Sequence, residues 1–268
     1  MYTKKMSSSN TGIEWTDKTW NPTTGCSKVS PGCRYCYAEA LTERFSQTFP
    51  QGFKLTLYPE RIDQPRKWRT PSRIFVNSMS DLFHKDVPFE YLQQIFTVMK
   101  ETPWHVYQIL TKREQNLLEL SSKLEWADNI WVGVSVENQD YVHRIEALRQ
   151  VPSKVRFLSC EPLLGSLCLN LEGIDWVIVG GESGYKHRPI KPEWVRDILR
   201  QTREADVAFF FKQWGGHHSK SGGKLLDDRT WDEMPKAWYD HISQWQSLKM
   251  AKSQRSNPLK KECLATAN

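Results

Sequence analysis

Apolar residues along this chain gather into short, nearly continuous runs, and amphipathic stretches lie between them. Six runs are rich in β-branched and aromatic residues: Arg73–Ser78, His105–Leu110, Ile130–Val136, Val155–Ser159, Trp176–Val179 and Val207–Phe211. Unbroken apolar runs of this length are typical of parallel strands that are buried on both faces. The pattern therefore predicts six buried strands.

Helical spacing marks stretches around and between these runs. The clearest are Tyr37–Phe45, Pro88–Lys100, Asn138–Arg149 and Pro192–Glu204, two of which carry proline near the start. Strands that alternate with helices indicate βαβ units. With one more strand ahead of Cys26, we predict an α/β fold, a partial or full TIM-barrel-like (β/α) barrel of parallel strands and outer helices. A doubly wound open sheet is the alternative.

Composition suggests how the chain is organised. We expect a disordered tail at residues 1–11, one barrel-like catalytic domain at residues 12–235, and a C-terminal helix with a flexible tail at residues 236–268. No apolar run approaches the roughly 20 residues that span a bilayer, and no secretory signal is visible. We therefore expect a cytoplasmic protein without membrane contact.

The net charge of +6 changes this picture only slightly. A positive balance favours an anionic partner such as nucleic acid. Lys and Arg are spread along the chain, however, so an ordinary solvated basic surface explains the charge as well.

Polar residues follow each predicted strand directly. In chain order they are Asn77, Ser78, Ser80 and Asp81; Lys112 and Arg113; Ser135 and Glu137; Cys160 and Glu161; Gly180, Gly181, Glu182 and Ser183; and Lys212. Active sites of barrels and open α/β sheets are built at the carboxyl ends of the strands. We therefore predict that these residues share one site, which we name the mouth.

Three of the six cysteines, Cys26, Cys33 and Cys36, lie within eleven residues, in a segment (residues 23–41) that we name the cysteine loop. In a reducing compartment, clustered cysteines bind metal more often than they form disulfides. A structural zinc site needs four ligands, and the fourth would be recruited from Cys160, His84 or His187. A 4Fe–4S cluster held by three thiolates instead leaves one iron open for a small molecule.

A loop that ends in Cys-x-aromatic-Cys, after a first strand and ahead of βα repeats, resembles the radical S-adenosylmethionine (SAM) superfamily. The resemblance implies a 4Fe–4S cluster on Cys26, Cys33 and Cys36, whose open iron binds SAM. Reductive cleavage of SAM then yields a 5′-deoxyadenosyl radical. Six residues separate the first two cysteines here, against three in the commonest members.

A closer resemblance covers nearly the whole chain. The blocks IEWTDKTWNPTTGC, RIFVNSMSDLFH, WVGVSVE, RFLSCEPLLG, DWVIVGGESG and FFFKQWGG resemble an uncharacterised phage and bacterial family of three-Cys-motif proteins. Members are described as radical-SAM-like, and many are encoded beside a partner protein. The resemblance implies a barrel of the radical SAM type and an enzyme of unknown reaction.

Cofactor-binding roles follow from these resemblances as expectations. Many superfamily members receive the SAM amino group on a Gly-Gly-Glu segment after the second strand, where this chain has NSMSD. The expected cofactor-binding residues are Ser78, Ser80 and Asp81 for the amino group, Lys112 and Ser135 for the carboxylate, Gly180, Gly181 and Glu182 for adenine or ribose, and Tyr35 against the cluster or adenine.

Candidate catalytic residues complete the site. Glu137, Glu161 and Lys212 are expected to meet substrate, together with Arg113. Cys160 is either a hydrogen-atom donor or a small buried apolar side chain.

The substrate is expected to be a nucleic acid or nucleotide, and the reductant a flavodoxin or ferredoxin. Two other functions fit the same residues. One is a zinc-stabilised nucleic-acid-binding phage protein that contacts phosphates through the basic strip Pro59–Arg73. The other is an iron–sulfur scaffold that never cleaves SAM.

Overall fold

The structure is a computed structural model that describes residues 11–218 and 221–255. The chain divides into two compact units between Pro235 and Lys236. Residues 1–10 of the predicted N-terminal tail and residues 256–268 of the predicted C-terminal tail lie outside the described residues.

The residues that the structure describes form nine strands and seven α-helices. The strands are β1 (Lys18–Trp20), β2 (Thr23–Thr24), β3 (Thr56–Leu57), β4 (Arg73–Val76), β5 (Val106–Thr111), β6 (Ile130–Ser135), β7 (Arg156–Cys160), β8 (Trp176–Gly180) and β9 (Ala208–Gln213). The helices are α1 (Tyr37–Arg44), α2 (Gln64–Lys67), α3 (Phe89–Glu101), α4 (Glu114–Ser121), α5 (Arg144–Arg149), α6 (Pro192–Glu204) and, in the C-terminal unit, α7 (Lys236–Arg255).

Seven strands form one parallel sheet in the order β1-β4-β5-β6-β7-β8-β9, while β2 and β3 form a small antiparallel pair. Strand order in the large sheet follows chain order and never reverses. Because crossovers between parallel strands are right-handed, an unreversed order places the connecting helices on one face of the sheet. The domain is therefore a partial (β/α) barrel with outer helices, and the doubly wound alternative, which requires a reversal, is wrong.

All six predicted strands are present, with bounds that shift by one or two residues. The predicted helix Asn138–Arg149 is interrupted: a short 3-10 turn at Gln139–Tyr141 precedes α5. Arg144, at the start of α5, reaches inward to the Ser135 carbonyl oxygen and Glu137.

Two further helical segments depart from the prediction. Helix α4 was not predicted, because its sequence EQNLLELS has only three apolar residues. Helix α7 continues to Arg255, into a segment expected to be unstructured, and the sequence has no glycine or proline between Lys236 and Arg255 to end it earlier.

One face of the sheet, which we name the helix-side face, is apolar. Val132, Val134, Leu158, Val177 and Val179 point to it and belong to one continuous hydrophobic core. All five are fully buried. The burial of this face against the helices is the main apolar contribution to the fold.

The opposite face, which we name the inner face, is aromatic in the first half of its strands. Phe75, Phe157 and Trp176 point to it, and Trp15 from the N-terminal segment packs on them, with ring centroids 4.6 Å from Phe75 and 6.2 Å from Trp176. Gly133 makes room for this packing, since a Cβ there would lie 2.5 Å from the Phe157 ring. Toward the carboxyl ends the same face becomes polar.

The edges of the large sheet are β1 and β9. Strand β9 is covered by residues 231–233: the Phe211 N–H donates to the Trp231 carbonyl (2.8 Å), and the Glu233 N–H donates to the Phe209 carbonyl (3.2 Å). Strand β1 is only three residues long. In the described part of the chain, no helix has the length and apolar character needed to cross a membrane.

Candidate functional site

The cysteine loop begins at the carboxyl end of β4. The Gly25 N–H donates to the Met79 carbonyl (2.9 Å), so the loop starts as an extension of the sheet. Gly25 has φ +81, and a Cβ there would lie 2.1 Å from the Lys54 carbonyl oxygen. Only glycine combines this φ with this close approach at low cost.

Two hydroxyls of the NSMSD segment bind the chain just ahead of the cysteines. The Ser80 hydroxyl lies 2.6 Å from the Thr23 hydroxyl, and the Ser78 hydroxyl donates to the Asn21 side-chain oxygen (3.2 Å). These bonds tie β4 to the loop. The expected contact of Ser78 and Ser80 with the SAM amino group remains a prediction.

Asp81 is buried and organises the end of β5. Its carboxylate accepts hydrogen bonds from the Thr111 hydroxyl (2.7 Å), the Lys112 N–H (3.0 Å) and the Phe83 N–H (3.0 Å). Three donors already satisfy most of its lone pairs. Its expected role in binding the SAM amino group remains a prediction, beside an observed structural role.

Arg113 fixes the first cysteine. Its Nη2 lies 3.8 Å from the Cys26 sulfur and donates to the carbonyl (3.0 Å) and hydroxyl (2.8 Å) oxygens of Ser27. Burial raises the pKa of the Cys26 thiol, and the Arg113 guanidinium opposes that rise. The contact therefore favours the thiolate that a metal requires.

His84 supports the same turn from the other side. Its Nδ1 accepts from the Asp86 N–H (3.2 Å), which leaves the proton on Nε2 to donate to the Ser27 hydroxyl (2.9 Å). Both ring nitrogens are thus engaged, so His84 does not offer the fourth ligand of the zinc alternative. Burial lowers the pKa of His84 and keeps the ring neutral.

Lys112 lies between the loop and the mouth. Its ammonium donates to the Ser135 hydroxyl (2.8 Å). Burial raises the pKa of the Cys36 thiol, and the positive charge of Lys112 is among the influences that lower it. Lys112 and Ser135 therefore lie in direct contact, and their expected contact with the SAM carboxylate remains a prediction.

Glu137 contacts the middle of the cysteine loop. This fully buried carboxylate accepts hydrogen bonds from Arg144 Nη1 (2.7 Å) and from the Ser30 hydroxyl. A Cβ on Gly32 would lie 2.5 Å from Glu137 Cγ, so glycine is required for the loop to approach this closely. Glu137 was expected to meet substrate, and its observed partners all belong to the protein.

Glu161 and Lys212 form an ion pair at the carboxyl ends of β7 and β9, with 2.9 Å between Oε1 and Nζ. Gly180 lies directly over this pair, since a Cβ there would lie 2.4 Å from Glu161 Oε1. Both charged side chains remain partly exposed. A substrate could therefore reach both side chains, and their expected contact with substrate remains a prediction.

The glycine pair after β8 packs on the protein itself. A Cβ on Gly181 would lie 2.1 Å from the Trp214 carbonyl oxygen, and Gly180 meets Glu161 as described above. These close contacts within the protein are sufficient to explain why both positions are glycine. Their expected contact with adenine or ribose remains a prediction.

Glu182 holds an arginine that sequence reasoning missed. The Glu182 carboxylate accepts from Arg188 through both its backbone N–H (2.8 Å) and its guanidinium. The Arg188 guanidinium lies 5.4 Å from the centre of the Tyr35 ring, between Cys33 and Cys36 in sequence. Glu182 therefore positions Arg188, and Arg188 positions the tip of the cysteine loop. The expected ribose contact of Glu182 stays untested.

Cys160 points away from the mouth. It is fully buried and belongs to the helix-side core, whereas its neighbours Ser159 and Glu161 point to the inner face. Burial raises the pKa of its thiol well above the usual range. This is the setting of a small apolar side chain, and it gives the hydrogen-atom donor hypothesis no support.

The three thiols of the loop share one region without meeting at a point. In the described part of the chain, no three His, Cys, Asp or Glu side chains converge closely enough to hold one metal ion. The charge of Cys33 nevertheless raises the pKa of both Cys26 and Cys36. Three cysteine thiols within electrostatic reach of one another are the donor type that an iron–sulfur cluster takes.

A cleft of about 270 Å³ opens beside the loop between α4 and α5. Val29 from the cysteine loop lines it together with Lys112, Arg113 and Tyr141. The Tyr141 ring is covered by the Arg144 guanidinium, 4.3 Å from the ring centre. The cleft therefore borders the same cations that face the cysteines.

The basic strip Pro59–Arg73 offers few free cations. Arg73 is buried in an ion pair with Asp17 (2.7 Å), and Arg66 binds Asp63 and Glu101. Arginines that are neutralised within the fold contribute little to phosphate binding. Lys67 and Arg69 are exposed, so the strip keeps two cations that the nucleic-acid-binding alternative could use.

The family described as Protein of unknown function (DUF5131) matches residues 10–235. The chain belongs to this family. The expected membership of the three-Cys-motif family stays a prediction. No curated protein matches the chain.

Solved structures of spore photoproduct lyase resemble this DUF5131 protein. The complex with dinucleoside spore photoproduct has 15% identity and a TM-score of 0.44, and the match covers 74% of this chain and 64% of that one. A single-residue variant has 15% identity, a TM-score of 0.47 and coverages of 76% and 65%. A variant with bound AdoMet and dinucleoside spore photoproduct has 17% identity, a TM-score of 0.40 and coverages of 70% and 53%. The chain spans just under two thirds of the first two structures.

Proposed function

We propose that this DUF5131 protein is a radical-SAM-like enzyme that binds a 4Fe–4S cluster through Cys26, Cys33 and Cys36. One observation carries the proposal. The cysteine loop lies across the mouth of a parallel half-barrel, and it is fixed at the ends of β4, β5, β6 and β8 by separate contacts. A loop braced at four strand ends holds its thiols over the place where α/β barrels carry out chemistry.

When bound, the cluster would supply the electron that cleaves the sulfonium bond of SAM. The protein's own residues would position the cysteines that hold the cluster. Arg113 favours the Cys26 thiolate, Glu137 fixes the turn that carries Cys33, and Arg188 holds Tyr35 beside Cys36. These contacts are made within the protein itself, and they brace the loop that would hold the cluster.

Among the residues expected to meet SAM, Lys112 has the strongest support. Its ammonium lies beside Ser135 and influences Cys36, so it is placed to pair with a carboxylate next to the cluster. Ser78, Ser80 and Asp81 remain the proposed amino-group site, and Gly180, Gly181 and Glu182 the proposed adenine and ribose site. Glu161 and Lys212 are proposed to face the substrate.

The surroundings of the enzyme are proposed on the family resemblance. We place it among the phage and bacterial three-Cys-motif proteins, in the cytoplasm, with a flavodoxin or ferredoxin as reductant. A genome-neighbour protein is a further candidate partner. The substrate class is taken up below.

The test is anaerobic reconstitution with iron, sulfide and reductant, followed by addition of SAM. We expect a brown protein with bound iron and sulfide that releases 5′-deoxyadenosine. Replacement of Cys26, Cys33 or Cys36 by Ala should abolish cluster binding, whereas Cys168→Ala, an exposed cysteine outside the loop, should not. Iron retained in the triple alanine variant would refute the ligand assignment.

The same experiment separates the other functions. Stoichiometric zinc that resists replacement by iron would indicate the zinc-binding protein. An intact cluster with no 5′-deoxyadenosine under strong reductant would indicate the scaffold. Lys112→Met should weaken SAM binding while iron content stays unchanged, and equal affinity in calorimetry would remove Lys112 from the SAM site.

A further inference from the structure

Exposed aromatic and basic side chains gather on two loops next to the mouth. Tyr185 after β8 is 83% exposed, and Lys186 and His187 follow it on the surface. His217 and His218 are exposed after β9. We name these five residues the basic–aromatic rim.

The two loops that carry the rim are joined by the backbone. The Gly184 N–H donates to the Gly216 carbonyl (2.9 Å), and the Gly216 N–H donates to the Glu182 carbonyl (3.0 Å). The Gln213 amide adds a bond to the Ser183 hydroxyl (3.0 Å). The loops therefore form one surface that extends β8 and β9 beyond the sheet.

Aromatic rings on this surface are already paired. The Tyr185 and His217 rings meet edge to face, with centroids 5.5 Å apart, and His217 lies 4.6 Å from His218. The broad face of Tyr185 remains open to solvent at 83% exposure. An exposed ring held by a neighbouring ring is preorganised to receive another planar group.

The charge of the rim has one sign. Residues 183–188 (SGYKHR) and 215–218 (GGHH) contain no Asp or Glu. The nearest carboxylate, Glu182, is buried and already bound by Arg188. A polyanion would therefore meet Lys186 without repulsion from an exposed carboxylate on these loops.

The rim is continuous with the cysteine loop. Arg188 belongs to the same loop as Tyr185, three residues further along, and its guanidinium lies 5.4 Å from the centre of the Tyr35 ring. A ligand held on Tyr185 thus lies at the entrance to the proposed catalytic site. A basic surface with stackable rings that leads into a site is how single strands are bound without sequence specificity.

We infer that the basic–aromatic rim binds single-stranded nucleic acid, with a base stacked on Tyr185 and a phosphate at Lys186, and presents it to the mouth. The strand's role as substrate rests on the proposed function, whereas its binding to the rim does not. A single strand is required because the faces of its bases are free, while duplex bases are stacked on each other.

The test is fluorescence anisotropy of the full-length protein with a labelled single-stranded oligothymidine and an oligouridine of equal length. Tyr185→Ala should weaken binding roughly 5- to 150-fold, the range of one lost stacking contact, and Tyr185→Phe should retain it. Lys186→Ala should lower the salt dependence of log K by about 0.7, the value for one phosphate contact. The two oligonucleotides show whether the strand is DNA or RNA.

Matched controls change exposed residues that do not belong to the rim. Lys123→Ala removes an exposed charge ahead of β6, at the amino end of the strands, and Tyr239→Ala removes an exposed ring from the C-terminal unit. Both should bind like the wild type. Binding that is equal in wild type and Tyr185→Ala would overturn the inference. So would equal binding of a blunt duplex, or displacement of the strand by a polyglutamate peptide at the same charge concentration.

The measurement is made without SAM, on protein before and after cluster reconstitution. Loss of the cluster with retained, Tyr185-dependent binding would refute the proposed enzyme and keep the rim. SAM cleavage without such binding would refute the rim and keep the enzyme.

Discussion

The two faces of the large sheet are built from alternate residues of the same strands, yet they have different contents. The helix-side face is apolar, with Phe209 and Phe211 beside its aliphatic side chains, and it forms one continuous core. The inner face changes along its length, from the aromatic packing of Trp15, Phe157 and Trp176 to the charged side chains of the mouth. The same strands therefore build the hydrophobic core on one face and the candidate site on the other.

Strand β7 shows what this difference teaches. Leu158 and Cys160 point into the helix-side core, while Ser159 and Glu161 point to the inner face. A strand's side chains alternate, so position in the alternation decides which residues reach the mouth. A reactive residue type at a strand end is therefore insufficient evidence of a catalytic role.

The largest effect is expected where the inner face buries charge. Arg144→Met would leave the Glu137 carboxylate, fully buried, without its ion-pair partner. Loss of one partner of a buried pair costs about 3–5 kcal/mol, so the free energy of unfolding in urea should fall by that amount.

Two controls sharpen that result. Arg200→Met removes ion pairs on the exposed surface of α6 and should cost about 0–1 kcal/mol. Adding Glu137→Leu to Arg144→Met removes the stranded charge and should recover part of the loss. If Arg144→Met and Arg200→Met were equally stable, loss of an ion pair at the mouth would cost no more than loss of ion pairs on the surface.

A smaller effect is expected from crowding the aromatic half of the inner face. Gly133→Ala would place a methyl group 2.5 Å from the Phe157 ring and should cost about 1–3 kcal/mol in urea unfolding. Gly165→Ala is the matched control, since its Cβ would meet only Asn138 at 3.9 Å. Equal stability of the two variants would show that the inner face packs loosely.

Cys160→Ala tests the helix-side face. Removal of the buried thiol should cost about 1 kcal/mol of unfolding free energy, because a small cavity is left. Iron content after reconstitution should equal that of the wild type. A normal 5′-deoxyadenosine yield with an altered fate of the substrate radical would instead restore Cys160 as a hydrogen-atom donor.

The smallest effect concerns pH at the cysteine loop. Burial lowers the pKa of His84 in the folded protein, whereas the unfolded imidazole keeps a pKa of about 6.5. Below that pH the unfolded chain binds a proton that the folded chain does not. Stability contributed at this site is therefore present above about pH 6.5 and is lost as pH falls toward the folded pKa.

His84→Gln should remove this dependence. Urea midpoints measured at about pH 7.5 and about pH 5.5 should differ less for the variant than for the wild type. An identical pH dependence in both proteins would show that His84 is charged in the fold or titrates alike in both states.

The sequence was informative about strands and about the location of the site. Buried parallel strands have continuous apolar runs, so all six were visible, and polar residues directly after them marked the mouth. Lys112 with Ser135 and Glu161 with Lys212 lie together as shared strand ends predict. These inferences depend on local pattern and on parallel pairing alone.

Contacts between segments that are distant in the sequence could not be predicted from the local pattern of residues. The link from Ser30 and Gly32 to Glu137, and the link from Arg188 to Tyr35, join residues more than one hundred positions apart. A signal for Arg188 existed, since it follows a buried acid in a loop free of other carboxylates. The alternation that sends Cys160 away from the mouth was also readable, because Glu161 comes directly after it.

An incomplete barrel has two edge strands, whereas a closed barrel has none. The unpaired backbone N–H and C=O groups of an edge strand can pair with another molecule. Here residues 231–233 occupy the hydrogen-bonding groups of β9, and β1 exposes just three residues. Polymerisation through exposed β-strands is thereby discouraged at both ends without closing the ring. Deletion of residues 231–233 should expose the edge of β9 and favour edge-to-edge aggregation.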